Sequence, residues 1–439
     1  MNTPSDAFSR RAHRVIPGGA HTYSKGDDQF PANAPRGFVR GRGARVWDVD
    51  GREFVDWGMG INSVLIGHAE PSIDDAAIAA LRHGQNFSRP TPLEVEAAEA
   101  LTALFPGLEM AKFAKNGSDA NTAALRLARA VTGRDLIAFD GSAPFLAIHD
   151  WFIGHTAMNA GTLEAERRFA VPFRFNDLES VEQLFATYPR RLAAVILEPC
   201  REVRPRPGFL ERLRQLCDQH GTLLVFDEVV TGFRYHLHGA HALFGVQPDL
   251  MSVGKGMANG YALTALVGKR AYMERGGLYH AQERVFLLST TNGAEQSALA
   301  AGQATIRFYQ EHDVIGHLAA VGRRIIDGLR AAAQRHGIGD FVSAESDFPC
   351  RPALRFLDAQ GRLSAEYRAL FLQEMIKAGV FMPWVCPSFR HGPVEIDQTL
   401  EAMDAACAVY AQAIDRQSVA GLLSGPATRP VFRRFNHSP

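Results

Sequence analysis

Short apolar runs alternate with helix-like segments through the middle of the chain. From Met110 onward, runs of four to six residues have the length and composition of buried strands, and the stretches between them carry apolar residues at helical spacing. This alternation predicts a mainly parallel sheet covered by helices on both faces, an α/β fold. The predicted strands are Met110–Phe113, Leu136–Phe139, Ala193–Leu197, Thr222–Phe226, Leu250–Val253 and Thr264–Val267, and the helices between them include Asp119–Val131, Leu178–Tyr188 and Gly208–His220.

The two ends of the chain have different patterns. Residues 1–35 are polar and interrupted by glycine and proline, which predicts an arm with a short helix near Ala7–Val15. Apolar residues alternate on both sides of Asp50-Gly51, a hairpin signal. Helical spacing predicts Ser72–His83, Thr91–Leu104 and His317–His336, and a strand–helix–strand–helix pattern follows them: Ala353–Phe356, Ser364–Lys377, Pro393–Ile396 and Asp397–Ile414. We therefore expect an N-terminal arm and hairpin segment (1–70), a large domain (71–320), a smaller α+β C-terminal domain (321–417) and a tail (418–439).

Composition narrows the class of protein. The 439 residues include 47 basic and 47 acidic side chains, so there is no bulk charge to hold a nucleic acid or an anionic membrane. Five cysteines without a CxxC pair fit a reducing compartment better than a disulfide framework or a zinc cluster. The N-terminus has no hydrophobic signal core and no apolar run is long enough to span a bilayer, so we expect a cytoplasmic protein.

Charged residues follow two consecutive predicted strands. Asp227 and Glu228 come after the run Thr222–Phe226, and Lys255 follows Leu250–Val253 between two glycines. The carboxyl ends of parallel strands are where ligands bind in open α/β sheets. A lysine and an acid there are the two groups that pyridoxal phosphate (PLP) requires, one for a Schiff base and one for the pyridine nitrogen. By spacing alone, the pair also fits a solvated turn lysine and an acid that caps a helix.

The sequence around these residues is more specific. FDEVVTGFR (226–234) followed by SVGKGMANG (252–260) resembles the class III, or omega-type, aminotransferases, and the glutamate-1-semialdehyde aminomutase branch most closely. The resemblance extends from about Pro17 to the low 400s. It implies the PLP-dependent transferase fold of type I, with a mainly parallel seven-stranded sheet, a smaller C-terminal domain and an N-terminal arm. It also implies a homodimer.

The resemblance assigns roles to individual residues. Lys255 forms the Schiff base with PLP, Asp227 pairs with the pyridine nitrogen, and Val229 lies under the ring. Gly117 and Ser118, which otherwise read as an ordinary helix N-cap, bind the phosphate at a helix start. Glu198 lies near the cofactor, and Thr291 reaches the phosphate of the neighbouring subunit. No metal is expected: His236, His238 and His241 form HxHxxH, but no cysteine or acidic ligand is near them in the sequence.

Three features depart from the family pattern. Some relatives have Tyr-His-Gly after the strand that ends at Phe139, and its aromatic ring stacks on the cofactor. Here the segment is DGSAPF (140–145), which leaves Phe145 or Trp151 as the candidate stacking residue. Aminomutases carry an arginine where Lys25 stands, and lysine is a poorer match to a carboxylate. Lys255 is followed by Gly256-Met257-Ala258. This run resembles the sequence at the same position in the branch that acts on sugars and other bulky polar carbonyl compounds.

These observations predict a PLP-dependent aminotransferase with a ping-pong mechanism through the Lys255 Schiff base. An amino-acid donor, with glutamate as the first candidate, would supply the amino group, and an aldehyde or ketone, sugar-like or otherwise polar, would accept it. The alternatives are an intramolecular amino transfer of the glutamate-1-semialdehyde 2,1-aminomutase type, a catalytically silent PLP-binding protein, and a racemase or decarboxylase on the same fold.

Overall fold

The computed structural model describes residues 3–436. Its strands are β1 (Phe38–Arg42), β2 (Arg45–Asp48), β3 (Glu53–Asp56), β4 (Met110–Ala114), β5 (Leu136–Asp140), β6 (Ala170–Phe173), β7 (Leu192–Leu197), β8 (Leu223–Glu228), β9 (Leu250–Val253), β10 (Thr264–Gly268), β11 (Val342–Glu345), β12 (Ala353–Phe356) and β13 (Val380–Phe381). Its α-helices are α1 (Pro4–Val15), α2 (Met59–Asn62), α3 (Pro71–Leu81), α4 (Pro92–Leu104), α5 (Gly117–Thr132), α6 (Asp150–Ile153), α7 (Glu164–Arg168), α8 (Leu178–Thr187), α9 (Phe209–His220), α10 (Arg270–Met273), α11 (Gln296–Glu311), α12 (Val314–Arg335), α13 (Ala365–Lys377) and α14 (Pro393–Asp415).

The described residues form two compact units. The first contains residues 3–70 and 316–433, so the N-terminal segment belongs to the same unit as the C-terminal part of the chain. The second contains residues 71–315 and 434–436.

A seven-stranded sheet organises the second unit. Its order is β4-β10-β9-β8-β7-β5-β6, and the pairs from β9 to β6 are parallel. Strand β10 runs antiparallel to both of its neighbours. Every residue of β5, β7, β8, β9 and β10 is buried, which explains why these strands are continuous apolar runs. The predicted mainly parallel sheet is confirmed.

Strand β6 was not predicted from the sequence. It contains Pro172, which pairs with Phe139 of β5 at the edge of the sheet. Proline has no N–H to donate to a ladder, and an edge position tolerates that loss.

The first unit has a smaller sheet of order β1-β2-β3-β13. The predicted hairpin is confirmed, because β2 and β3 pair antiparallel around a turn in which Gly51 has a φ of +81°. The Asp48 carboxylate accepts from the N–H groups of Asp50 and Arg52 and closes this turn. Apolar side chains of β3 and of helices α12 to α14 form one core, which includes Val55, Trp57, Ile325, Phe371 and Tyr410.

The predicted strand Pro393–Ile396 is wrong. These residues are the first turn of α14, which runs from Pro393 to Asp415. Proline at the first helical position needs no donor, and the Glu395 carboxylate accepts from the N–H of Gly392. The helix-start chemistry therefore outweighs the β-branched residues of this segment. Within residues 3–436, no helix combines the length and the apolar character needed to cross a membrane.

Candidate active site

Asp227 and Lys255 lie at the same edge of the large sheet. Asp227 and Glu228 are the last two residues of β8, and Glu228 pairs with Val253 at the end of the parallel strand β9. Gly254 follows in an extended conformation, and Lys255 then begins a 3₁₀ turn with a φ of +47°. Few residues with side chains occupy this left-handed region, and such positions concentrate at functional sites. The glycine-flanked lysine thus has a fixed, uncommon backbone conformation beside the acid.

Asp227 is a buried carboxylate surrounded by neutral donors. Its Oδ1 accepts from the Val229 N–H at 3.0 Å, and its Oδ2 accepts from Asn121 Nδ2 at 2.7 Å. Burial raises the pKa of Asp227, while these donors and the nearby charge of Lys255 act in the opposite direction. A carboxylate has about four lone-pair sites, so Asp227 can still accept from a cationic N–H partner.

Val229 packs between two glycines. A Cβ built on Gly117 would lie 2.8 Å from Val229 Cγ2, and one on Gly254 would lie 3.4 Å from Val229 Cγ1. The Gly254 position is also closed by Thr264 Oγ1, at 2.8 Å from such a Cβ. The start of α5, the end of β8 and the loop after β9 therefore meet at Val229, with Val229 excluding a side chain at position 117 and Thr264 excluding one at position 254.

The N-terminus of α5 lies in this cluster. Asn116 caps the helix through its side-chain oxygen, which accepts from the Asp119 N–H. Ser118 is buried, and its Oγ accepts from the Ile148 N–H at 3.1 Å, which leaves its hydroxyl hydrogen to be donated. The N–H groups of the first helical turn have no partner within the helix and favour an anion. Gly117 and Ser118 can therefore hold a phosphate group.

Comparison with known proteins decides the family. Residues 24–347 match the model of the family described as "Aminotransferase class-III". The chain belongs to the class III aminotransferases. It is 34% identical over 427 residues to the glutamate-1-semialdehyde 2,1-aminomutase of Syntrophobacter fumaroxidans, with 91% of this chain and 96% of that protein covered. It is also 33% identical to the 3-aminobutyryl-CoA aminotransferase of Cloacimonas acidaminovorans, with 91% and 95% covered.

Solved structures agree with this assignment. The FumI protein of Sphingopyxis sp. MTA144, determined in its PLP internal aldimine form, is 29% identical, with a TM-score of 0.86 and 94% of this chain and 97% of that chain covered. The predicted fold and the predicted PLP dependence of this class III aminotransferase are therefore confirmed.

Glu198 and Thr291 differ in their surroundings. Glu198 is buried directly after β7, at the same sheet edge as Asp227. Thr291 is exposed in the loop before α11, and its carbonyl accepts from Asn86 Nδ2 at 2.8 Å. The loop of this class III aminotransferase is thus held in place while the Thr291 side chain points to solvent in the single chain.

The two candidate stacking residues differ in how far they are exposed. Trp151 is buried, and its indole N–H donates to Thr122 Oγ1 at 3.0 Å, with its ring edge-on to Phe139. Phe145 is 45% exposed and contacts Phe152 edge-on. Of the two, only Phe145 has a substantially exposed ring.

The histidines of HxHxxH lie in the loop after β8 and not on a strand. His241 Nδ1 lies 2.7 Å from the buried Glu228 carboxylate, which also accepts from the His241 N–H. His238 Nδ1 lies 2.8 Å from the Leu104 carbonyl. Glu228 therefore holds this loop, and no group of metal ligands is found among residues 3–436.

Lys25 belongs to the first unit. It ends the 3₁₀ turn Tyr23–Lys25 and lines a cavity of about 630 Å³ in that unit. The lining also contains His21, Arg40 and the ring of Trp384. This cavity offers both cationic and aromatic groups to a ligand.

Two polar residues around Asp227 were missed from the sequence. Asn121 lies one turn after Gly117 on α5, and Ser252 lies in the middle of β9, and both are fully buried. A serine inside an otherwise apolar strand was the available signal, because a buried hydroxyl needs a partner. Only the fold shows that this partner is Asn121, at 2.6 Å.

Proposed function

We propose that this protein transfers an amino group from a small-molecule amino donor to an aldehyde or ketone acceptor, with both half-reactions at Lys255. The observation that carries the proposal is the cluster at the sheet edge: a buried acid, a glycine-flanked lysine on a neighbouring strand, and Val229 packed between Gly117 and Gly254. This arrangement combines the residues that the reaction needs in one place.

The residues of the cluster fit PLP. A Cβ would be blocked at Gly117 by Val229 and at Gly254 by Thr264, so the backbone stays uncovered at both positions, as expected where it must approach a flat ring. Asp227 would face the pyridine nitrogen, Ser118 and the α5 N-terminus the phosphate, and Lys255 the aldehyde carbon. When bound, PLP supplies an electron sink that lets a proton leave Cα of the donor.

The side chains then have separate tasks. The Lys255 amine takes the proton from the donor Cα and returns a proton during transfer to the acceptor, as a general base and acid. Asp227 would keep a proton on the ring nitrogen, because its carboxylate has capacity for a further donor, and a cationic N–H there would offset the burial that raises its pKa. Val229 fixes the ring plane from one face.

We infer a polar acceptor, sugar-like or otherwise rich in hydroxyl or charged groups. Lysine at position 25 and the Gly256-Met257-Ala258 run after Lys255 both differ from the aminomutase pattern.

Aminomutation is the second candidate. The similarity to the glutamate-1-semialdehyde 2,1-aminomutase of Syntrophobacter fumaroxidans favours it, since that comparison covers nearly the whole chain. An aminomutase isomerises one substrate and needs no external donor.

The decisive experiment uses the purified protein loaded with PLP. A panel of amino acids, glutamate first, is added without acceptor, and the absorbance of the bound cofactor is recorded. We expect at least one donor to change the spectrum and release its keto acid, and Lys255→Ala to abolish both. Isomerisation of glutamate 1-semialdehyde without donor, with no response to the panel, would replace the proposal by aminomutation. A spectrum that no amine changes would indicate a silent PLP-binding protein.

We also infer a homodimer and a cytoplasmic location. The five cysteines are buried thiols, which suits a reducing compartment. The Thr291 carbonyl accepts from Asn86 Nδ2, and the residue is exposed, so its side chain is accessible to a neighbouring subunit. This supports the proposed role of Thr291 across a dimer interface.

A further inference from the structure

The Asn121 amide connects three polar groups, one of which is the Asp227 carboxylate. Its Nδ2 donates to Asp227 Oδ2 and to the Leu146 carbonyl, both at 2.7 Å. Its Oδ1 accepts from Ser252 Oγ at 2.6 Å. All four residues are buried, and Asn121 and Ser252 have no exposed surface.

The orientation of this amide is fixed by its neighbours. The nitrogen lies between a carboxylate and a carbonyl, which only accept hydrogen bonds, so the reverse orientation would place three acceptors together. Ser252 Oγ lies 3.4 Å from Asp227 Oδ1 and 2.6 Å from Asn121 Oδ1, so its single proton goes to the amide. Ser252 therefore keeps Asn121 turned toward Asp227.

The donors around Asp227 are neutral. The Asn121 amide and the Val229 N–H stabilise the carboxylate without cancelling its charge. A buried acid with a single neutral donor would gain less from ionisation and would more readily take up a proton. An acid in that state could not hold a proton on a ring nitrogen.

We infer that Asn121, oriented by Ser252, is a positioning residue that keeps Asp227 ionised and fixes the direction of its remaining lone pairs toward the cofactor ring. The inference rests on the proposed role of Asp227. The inference also gives α5 two tasks. Gly117 begins the helix at the proposed phosphate site, and Asn121, four residues later, holds the acid that would face the ring nitrogen.

The test compares Asn121→Ala with Thr122→Val. Thr122 is the next residue of α5 and its hydroxyl contacts His149 and Trp151, so its replacement disturbs the same helix and loop without touching Asp227. For Asn121→Ala we expect PLP affinity of the apoprotein and kcat each to fall about tenfold. The acidic limb of the kcat–pH profile should move to higher pH, because loss of a donor to the charged form raises the pKa of the acid. Thr122→Val should keep wild-type PLP affinity and the wild-type pH limb.

The outcomes are separable. Wild-type behaviour of Asn121→Ala, or equal losses in both variants, would overturn the inference.

If Asn121→Ala does not fold, Ser252→Ala takes its place. A loss of PLP affinity of about twofold to threefold, with the acidic limb of the kcat–pH profile shifted, supports the inference. An unchanged acidic limb overturns it. Asp227→Asn is measured in parallel. Normal turnover in that variant would refute the proposed site itself, whereas a defect there with a normal Asn121→Ala would refute only the role of Asn121.

Discussion

At the scale of single residues, charge and burial oppose each other at Asp227. Burial raises the pKa of its carboxyl, and the donors at 2.7 and 3.0 Å and the Lys255 charge favour the ionised form. A cationic partner bound at the remaining lone pairs would complete the stabilisation. The chemistry of this site thus depends on a charge that the protein only partly satisfies.

Asp227→Asn removes this charge with little change in shape. We expect the single-turnover rate of the donor half-reaction to fall by about a hundredfold or more, because the ring nitrogen loses its counter-charge. The circular dichroism spectrum should not change. Stopped-flow absorbance measures the rate, and a rate within twofold of wild type would mean that another group pairs with the ring nitrogen.

His391 makes the stability of the first unit depend on pH. It is fully buried, its ring stacks on Trp57, and its Nδ1 lies 2.8 Å from Ser388 Oγ. Burial, with smaller contributions from His317 and His68, lowers the pKa of His391 to about 3 from its usual 6.5. Between these two values the unfolded chain binds a proton that the folded chain does not, so stability is lost as the pH falls below 6.5.

The variant His391→Asn keeps an acceptor for Ser388 and removes the titration. When the pH falls from about 7.5 to about 5.5, the titration of His391 should lower the unfolding free energy of the wild type by about 1.4 kcal/mol. The variant lacks this contribution, so its unfolding free energy should fall by about 1.4 kcal/mol less. Tryptophan fluorescence in urea reports the first unit, since Trp47, Trp57 and Trp384 belong to it and only Trp151 does not. Equal pH dependence in both proteins would show that His391 is protonated in the folded state.

At the scale of elements, the site depends on how helix α5 packs against the ends of β8 and β9. Buried parallel strands end at one edge, so residues far apart in the chain meet there. Gly117 begins the helix and Val229 follows β8, and their contact sets the distance between the first turn of α5 and the end of β8, the two places where the proposed site would hold the phosphate and the ring.

Gly117→Ala should push Val229 aside, because the new Cβ would lie 2.8 Å from Cγ2. We expect PLP affinity to fall about tenfold, and Val229→Ala in the same chain to restore part of it by making room. Equilibrium dialysis of the apoprotein measures both affinities. The Val229→Ala single variant is the control, and losses that simply add in the double variant would show that the two residues do not interact.

At the scale of the whole molecule, the proposed homodimer gives Thr291 a role that a single chain cannot show. If Thr291 acts on the neighbouring subunit, a dimer of one Lys255→Ala chain and one Thr291→Ala chain contains one complete site. Such a mixed dimer, purified with two affinity tags, should have about half of the wild-type activity. Activity no higher than that of the Thr291→Ala homodimer would place Thr291 in its own subunit's site.

Much of the central sheet was predictable from the sequence. Strands such as Leu250–Val253 are buried on both faces, so their apolar runs are unbroken and their ends are marked by polar residues or glycine. The edge strand β6 and the first turn of α14 were not predictable. Pro172 and Pro393 are read locally as breakers or strand ends, and only pairing at a sheet edge or the capping of α14 gives them their observed positions.

The sequence by itself determined the family, the fold class and the cofactor, because FDEVVTGFR and SVGKGMANG resemble the corresponding segments of class III aminotransferases, whereas an acid and a lysine after two predicted strands would not have been enough. The tertiary structure decided what surrounds them. Asn121 and Ser252 meet Asp227 only because α5 crosses β8 and β9, and a side chain is excluded at Gly117 only because Val229 approaches it. The local sequence pattern indicates which residues end a strand. Contacts between segments that are far apart in the sequence form only when the chain folds, so the pattern does not show them.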